Sequence, residues 1–391
     1  MAHHRGIDYS VWTKRSFLFG AGLFALAAVI ELLAHAFVGQ LPGWEETLLL
    51  DAADVSQNVP MAEAVPAIEA AFAAYHHGDA QMPAKSYVDL PEYDGDFRSM
   101  PAYLRVRADH LPADRPDVDG IAAGDWDAAG LKWINVHTRN RERFGLPTVL
   151  GTMIYSDPEN AFPLAIMDGR ELTMRRTGAA AAVATDHLAV EDAHSLGIVG
   201  AGAQAGTQLR AIATVRDVEE VIVSDVDDER VAAFVEAFGD EYAVQGGSIA
   251  EAAACDVLST ITPVEEPIVP REAVGPHTHV NAMGADAPGK HELADDLLLA
   301  ATVLIDDYEQ CTHSGEINVP YAAGTFGDDD IHGTLGAVVA GDRPGRTARE
   351  EVTVFDSTGL AIQDVAAARV AYEHADDNDN GTSFDLLGLD G

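Results

Sequence analysis

Residues 195–225 read SLGIVGAGAQAGTQLRAIATVRDVEEVIVSD. The apolar run Leu196–Val199 has the length of a buried strand and ends at Gly200 and Gly202. Ala203–Val215 then carries apolar residues at helical spacing. A second apolar run, Val221–Val223, ends in Asp225. Strand, glycine turn, helix and acid-ended strand give the G-x-G-x-x-A pattern Gly200-Ala201-Gly202-Ala203-Gln204-Ala205 its meaning. Gly200 makes the tight turn, Gly202 lets the backbone approach a pyrophosphate, and Ala205 permits close helix–strand packing. The helix N-terminus attracts the anion. Gly200, Gly202, Ala203 and Gln204 are therefore candidate cofactor-binding residues. Asp225 can accept hydrogen bonds from ribose hydroxyls and repel a 2′-phosphate, which favours NAD over NADP. Its alternative role is to cap the following helix, and Arg230 nearby keeps NADP as a second option.

The alternation continues downstream. A helix over Glu229–Phe238 precedes apolar runs at Val257–Thr260, His279–Ala282 and Val303–Asp306, which predicts a parallel doubly wound sheet. Thr260, at the end of one such strand, is a further candidate for cofactor contact. The flanks read differently. Thr47–Asp51 is β-like, Met61–Tyr75 is an amphipathic helix, and 82–104 and 130–167 alternate as strands of a mixed sheet. Residues 106–129 read as an exposed loop. Thr173–Leu188 is a helix of small residues, the spacing turns irregular from about Gln310, and Gly359–Glu373 reads as one long helix. The expected fold class is α/β, with a Rossmann domain (173–310) inserted in an α+β domain made of 46–172 and 311–391.

The charge is extreme: 64 Asp+Glu against 24 Lys+Arg, a net −40. Such a surface repels phosphate backbones, so no nucleic acid partner is expected. The only lysines are Lys14, Lys85, Lys132 and Lys290; the other cations are arginines. Acids spread along the whole chain point to a salt-filled cytoplasm rather than to an acidic interaction tail. A lysine that survives this depletion is a candidate for function. Cys255 and Cys311 lack metal-ligand spacing, as do the fifteen histidines, so no metal is expected.

Residues 1–45 are a separate problem. Phe17–Val38 is a 22-residue apolar run broken only by Glu31 and His35, and Arg5, Lys14 and Arg15 precede it. This predicts a hydrophobic helix, read as a membrane anchor, a cleaved signal, or a fusion or misplaced start. Membrane contact is expected through 17–38 alone, and the enzyme portion fits a cytoplasmic site where NAD is found.

Several strings occur in a telling order: Ala80-QMPA-Lys85, Asp96-FRSM-Pro101, Gly130-LKWI-Asn135, Gly145-LP-Thr148, Pro163-LAIM-Asp168 and Arg176-TGA-Ala180. After Gly200–Gln204 come Asn281-AMGA-Asp286, Gly315-EI-Asn318 and Phe355-DSTGLAIQ-Asp364. From about residue 47 to 373 the chain resembles the ornithine cyclodeaminase/μ-crystallin family, and looks closest to its archaeal alanine dehydrogenase branch. The resemblance implies a homodimer in which the flanking α+β domain binds substrate and dimerises. It implies a small amino-acid substrate and NAD-dependent oxidative deamination of L-alanine to pyruvate and ammonia. Alternatives are ornithine cyclodeaminase (L-ornithine to L-proline and ammonia, NAD recycled), ketimine reductase, and a non-catalytic binding protein. Retention of the motif residues argues against the last.

Such chemistry needs a cation for the carboxylate, a group to manage protons at the amine, and activation of water. Arg98 is the candidate carboxylate clamp, the alternative being a structural ion pair. Lys85 and Lys132 are candidates for proton transfer or water activation, or plain carboxylate anchors. Lys132 sits between Leu131 and Trp133 on a predicted strand, so alternation points it to the opposite face. The resemblance makes Asp286 the catalytic aspartate and places Arg176 and Thr177 near the cofactor phosphates or the substrate carboxylate. Lys290 is expected to be structural, and Arg175 a surface or subunit contact.

Overall fold

A computed structural model describes residues 46–112 and 123–388. The apolar run at 17–38 lies outside these residues. Among the described residues no helix is long and apolar enough to cross a membrane.

Two eight-stranded sheets organise Thr47–Phe384. The first begins with β1 (Thr47–Leu50), after which come helices α1 (Ala52–Asn58) and α2 (Met61–His76). It continues through β2 (Ala80–Gln81), β3 (Ser86–Leu90), β4 (Gly95–Val106), β5 (Trp126–His137), β6 (Val149–Ser156) and β7 (Pro163–Asp168). Neighbours β4 to β7 pair antiparallel, and β1 joins β7 in parallel. The sheet is therefore mixed, as its alternating sequence predicts. The expected loop at 106–129 is shorter than read, because β4 runs to Val106 and β5 starts at Trp126.

Helix α3 (Gly169–Leu188), capped by Asp168, leads into the second sheet. Its strands are β8 (Ser195–Val199), β9 (Glu220–Ser224), β10 (Ala243–Gly246), β11 (Val257–Thr260), β12 (His279–Ala282), β13 (Thr302–Ile305), β14 (Ile331–Thr334) and β15 (Thr353–Asp356). All run parallel in the order β10-β9-β8-β11-β12-β15-β13-β14. Helix α4 (Ala205–Ile212) connects β8 to β9, and α5 (Asp228–Phe238) connects β9 to β10. Strand order reverses at β8, and a parallel sheet opens its ligand crevice outside the strand ends at such a point.

The second sheet extends beyond residue 310, where the sequence suggests a return to the first part. Strands β14 and β15 both belong to it. Four-residue strands such as IHGT and TVFD leave too little periodicity to detect. The return occurs instead at α6 (Ala361–Asp377), whose buried face packs on α2, α3, β4 and β5. Strand β16 (Thr382–Phe384) then closes the edge beside β1. One apolar core joins the layers, with Phe72 of α2, Leu104, Met153, Leu172, Val365 and Phe355 all sealed from solvent. Phe72 meets Phe355 edge-on at 6.3 Å. At about 25 cal/mol per Å² such a core is the main stabilising term.

Candidate active site

Strand pairing brings the surviving lysines together. On β4 and β5, Arg98 lies opposite Ile134 and Met100 opposite Lys132. Residues two apart share a face, so Arg98, Met100, Lys132, Ile134 and Val136 line one cavity of about 210 Å³. Trp133 points the other way and stacks on Phe97 at 5.2 Å. Lys85, Arg176 and Thr177 complete that wall, and Met283, Gly284, Asp286 and Lys290 arrive from the loop after β12.

Lys132 is 1 % exposed and donates to Asp364 Oδ1 of α6 at 2.6 Å and to Thr173 Oγ1 at 3.1 Å. Burial pushes its ammonium down to about 7, helped by Arg176 and Lys85 and opposed by Asp364. Arg176 donates Nε to the same Asp364 oxygen at 3.0 Å and Nη1 to Gln363 Oε1 at 3.0 Å. Asp364 Oδ2 is buried without a hydrogen bond. The two cations thus meet on a single carboxylate oxygen.

Arg98 donates Nε and Nη2 to Asp96 Oδ2 and Nη1 to Asp286 Oδ2 at 3.0 Å. Lys290 donates to Asp286 Oδ1. Burial pushes the Asp286 carboxyl up, but Lys290 and Arg98 outweigh it and hold the group down at about 2. Lys290, expected to be structural, therefore lines the cavity and pairs with Asp286. Its i,i+4 spacing from Asp286 was the available signal. Lys85 donates to Thr358 O at 2.8 Å. Desolvation lowers its pKa, against the attraction of Asp306. Gly359 in this turn has φ +75°, and a Cβ there would lie 2.4 Å from Arg176 Nη1. Arg175, expected as a surface or subunit contact, is half-buried and bonds Glu171 and Ser56 within the chain.

A second cavity, of about 600 Å³, adjoins the first and shares Val149, Thr173 and Gln204 with it. Gly202, Ala203 and Gln204 line it, together with Arg141, Arg170 and Arg230. Gly200 has φ +106°, which fits the glycine turn. A Cβ on Gly202 would meet no atom within 4 Å, and Gln204 Oε1 is buried without a partner. Open space over a backbone turn, an orphaned acceptor and three arginines fit a phosphate-bearing dinucleotide. Arg141 and Arg170 are absent from the sequence-based candidates because neither belongs to the glycine pattern. Asp225 Oδ2 accepts from Ala201 N at 2.7 Å and Oδ1 from Asp227 N at 2.9 Å. Asp227, not Asp225, caps α5. Arg230 lies 3.9 Å from Asp225. Thr260 lines neither cavity; its fully buried hydroxyl donates to Glu292 at 2.8 Å, and Ile261, Thr262 and Pro263 line the site instead.

A parallel sheet with a glycine turn, opening beside a cation-lined cavity, defines an α/β protein of the dinucleotide-binding type. The chain belongs to the ornithine cyclodeaminase/mu-crystallin family, whose model matches residues 45–111 and 120–379. A second family, of unknown function (DUF7860), matches residues 2–61 and includes the apolar run at 17–38. The alanine dehydrogenase of Archaeoglobus fulgidus is 44% identical over 333 residues, 84% of this chain and 95% of that one. A solved archaeal alanine dehydrogenase dimer with bound NAD is 42% identical with a TM-score of 0.78, covering 88% of this chain and 100% of its own. The Thermococcus litoralis Delta(1)-pyrroline-2-carboxylate reductase, in complex with NADH and L-proline, is 31% identical with a TM-score of 0.77, covering 86% and 99%.

Proposed function

We propose that this chain is an NAD-dependent L-alanine dehydrogenase, converting alanine and water to pyruvate and ammonia. The observation that carries this reading is the convergence of Lys85, Arg98, Lys132, Arg176 and Asp286 on one cavity beside the glycine turn. Gly200, Gly202, Ala203, Gln204 and Asp225, with Thr177 nearby, would hold NAD, which when bound would supply the hydride acceptor. Arg98, oriented by Asp96, offers a guanidinium edge to the substrate carboxylate, and Arg176 backs the opposite wall. Lys132, with a pKa near neutrality, can take the amine proton or activate water. Lys85 faces the same space as a second ammonium. Asp286 stays ionised and stabilises positive charge on the substrate nitrogen.

Alanine rather than a diamino acid fits the walls. Met100, Ile134, Val136, Val149 and Met283 are apolar, and among the described residues Asp286, which serves the α-nitrogen, is the carboxylate that lines the cavity. A second amine finds no further carboxylate among the described lining residues. In domain terms, we assign substrate binding and dimerisation to the mixed sheet with α6, and NAD binding to the parallel sheet. Val88 of β3 and Trp133 of β5 are exposed on the side of the sheet away from the cavity, and a second copy of the chain is the proposed cover for this face. The acidic composition is read as adaptation to high salt, with the catalytic part in the cytoplasm.

The test is absorbance of NADH in molar salt, with NAD and either alanine or ornithine. Steady NADH formation from alanine supports the dehydrogenase. Proline and ammonia from ornithine without net NADH replaces it with the cyclodeaminase. Silence with both, and NADH consumption with a cyclic imine, replaces it with a ketimine reductase.

A further inference from the structure

Asp306 ends β13 one residue beyond Ile305, which pairs with Asp356 at the end of β15. From there it reaches across to the turn that follows β15. Its two oxygens accept from Ser357 Oγ at 3.2 Å, Thr358 N at 2.7 Å, Thr358 Oγ1 at 3.2 Å and Gly359 N at 3.0 Å. Cys311 Sγ adds a fifth donor at 3.1 Å. The carboxylate is 1 % exposed. One buried acid therefore gathers two backbone amides and both hydroxyls of a turn that walls the cavity, the third amide, Ser357 N, donating to Ala282 O. The carbonyl of Thr358 in that same turn accepts from Lys85 Nζ at 2.8 Å. Among the described residues this is the hydrogen bond that fixes the Lys85 ammonium.

We propose that Asp306 is a positioning residue for Lys85: it holds the Ser357–Gly359 turn, and through it the carbonyl that orients the ammonium, and it is the buried anion that faces that ammonium. The proposal rests on the reading of Lys85 as a substrate-facing group. A carboxylate so deeply buried costs several kcal/mol to desolvate unless its neighbours compensate. Backbone and hydroxyl donors satisfy its lone pairs, but they bring no net charge. Compensating charge comes from Lys85, since among the described residues the other ionisable groups facing Asp306 are Tyr75, Asp307, Cys311 and Asp356, and none of these is a cation. Around Lys85 itself stand Asp306, Asp286, Arg176, Arg98 and Lys132. Of the two acids, Asp286 is already neutralised by Arg98 and Lys290. Asp306 is then the anion whose removal most alters Lys85. Burial raises the Asp306 carboxyl and Lys85 lowers it, while Asp306 raises Lys85, so the coupling runs both ways.

The test reads Lys85 directly. Whole protein is labelled with trace acetic anhydride across pH, and acetylation of each lysine is followed by peptide mass spectrometry. With four lysines in the chain the signals separate cleanly. In Asp306→Asn the Lys85 labelling midpoint is expected to fall by about one pH unit or more, while Lys290 keeps its wild-type midpoint. A general loosening of the fold would instead raise labelling at every lysine without moving the Lys85 midpoint selectively, and that result overturns the proposal. If Asp306→Asn does not fold, the double substitution Ser357→Ala, Thr358→Val removes two donors from the carboxylate, so that Asp306 takes up a proton more readily and presents less charge to Lys85. It is expected to shift Lys85 the same way by a smaller amount, and an unmoved midpoint there overturns the proposal too. Turnover plays no part in this readout, so failure of wild-type protein to oxidise alanine counts against the functional reading alone.

Discussion

Lys132 and Asp364 stand 232 residues apart in the chain and meet at 2.6 Å with both side chains sealed from solvent. The pair joins β5 of the mixed sheet to the helix with which the chain returns to that sheet. Desolvation of Lys132 outweighs the attraction of Asp364 and brings the amine to about 7. A neutral amine is then available near physiological pH. Used as a base, it gives kcat an acid limb near that value. Asp364→Asn removes the anion, so the Lys132 pKa falls further and the acid limb moves to lower pH. Breaking a buried pair from one side also costs about 3–5 kcal/mol of stability. A pH–rate profile with the limb unmoved in Asp364→Asn would remove Lys132 from proton transfer.

Asp286 is held at about 2 by two cations, against its own burial. Its low pKa keeps the charge through the working pH range. Asp286→Asn is expected to lower kcat by about 10²-fold or more while NADH still binds, as followed by NADH fluorescence. Lys290→Met raises the Asp286 pKa by removing one cation. The carboxylate then protonates at higher pH, which NMR of a 13C-labelled aspartate carboxyl reads directly, below the limb that Lys132 sets on turnover. Identical carboxyl titrations for Lys290→Met and wild type would show that Arg98 alone sets the state of Asp286.

Asp225 closes back on the glycine turn through Ala201 N and stands at the end of β9. Asp225→Ala removes both an acceptor for ribose hydroxyls and the charge that repels a 2′-phosphate. Arg230, 3.9 Å away, loses one of its two acid partners by the same change and keeps Asp227 at 3.3 Å. The ratio of kcat/KM with NAD to that with NADP is expected to fall by about tenfold or more, one hydrogen bond to a charged group being worth about 1.5–3 kcal/mol. Unchanged selectivity sinks the assignment.

Much of this site was legible because the chain makes lysine scarce. Lys85 and Lys132 stood out for that reason, and strand alternation placed Lys132 on the cavity face away from Trp133. The glycine turn was legible because its strand, helix and acid occur within 31 consecutive residues. The hidden parts are long-range. Asp364 sits in a helix whose sequence shows only that it is helical, and its partners lie 188 and 232 residues earlier. Asp306 looked like a strand terminus, because four of its five donors come from the Ser357–Gly359 turn, about 50 residues later, and only Cys311 lies near it in sequence. Thr260 was placed at the cofactor by its position at a strand end. Position along a strand does not say which way a terminal side chain turns, and Glu292 takes this one inward.

A net charge of −40 leaves the fold working against itself. Excess acids repel at separations that salt governs, since the Debye length is about 10 Å at 0.1 M and about 3 Å at 1 M. Many of these acids are exposed, and the described surface offers few cations to pair them. Lowering KCl from molar to 0.1 M therefore brings distant acids back into contact electrostatically and destabilises the compact state. Added repulsion of about 3–5 kcal/mol lowers Tm by roughly 4–6 °C for a chain of this size. Calorimetry or circular dichroism across KCl concentrations reads the effect. Buried charges such as Asp364 and Asp306 are screened far less, so the active-site pH profile should move little across the same range. A flat Tm would mean that the acidic surface is tolerated without salt, and the salt-adaptation reading would fall while the catalytic one stood.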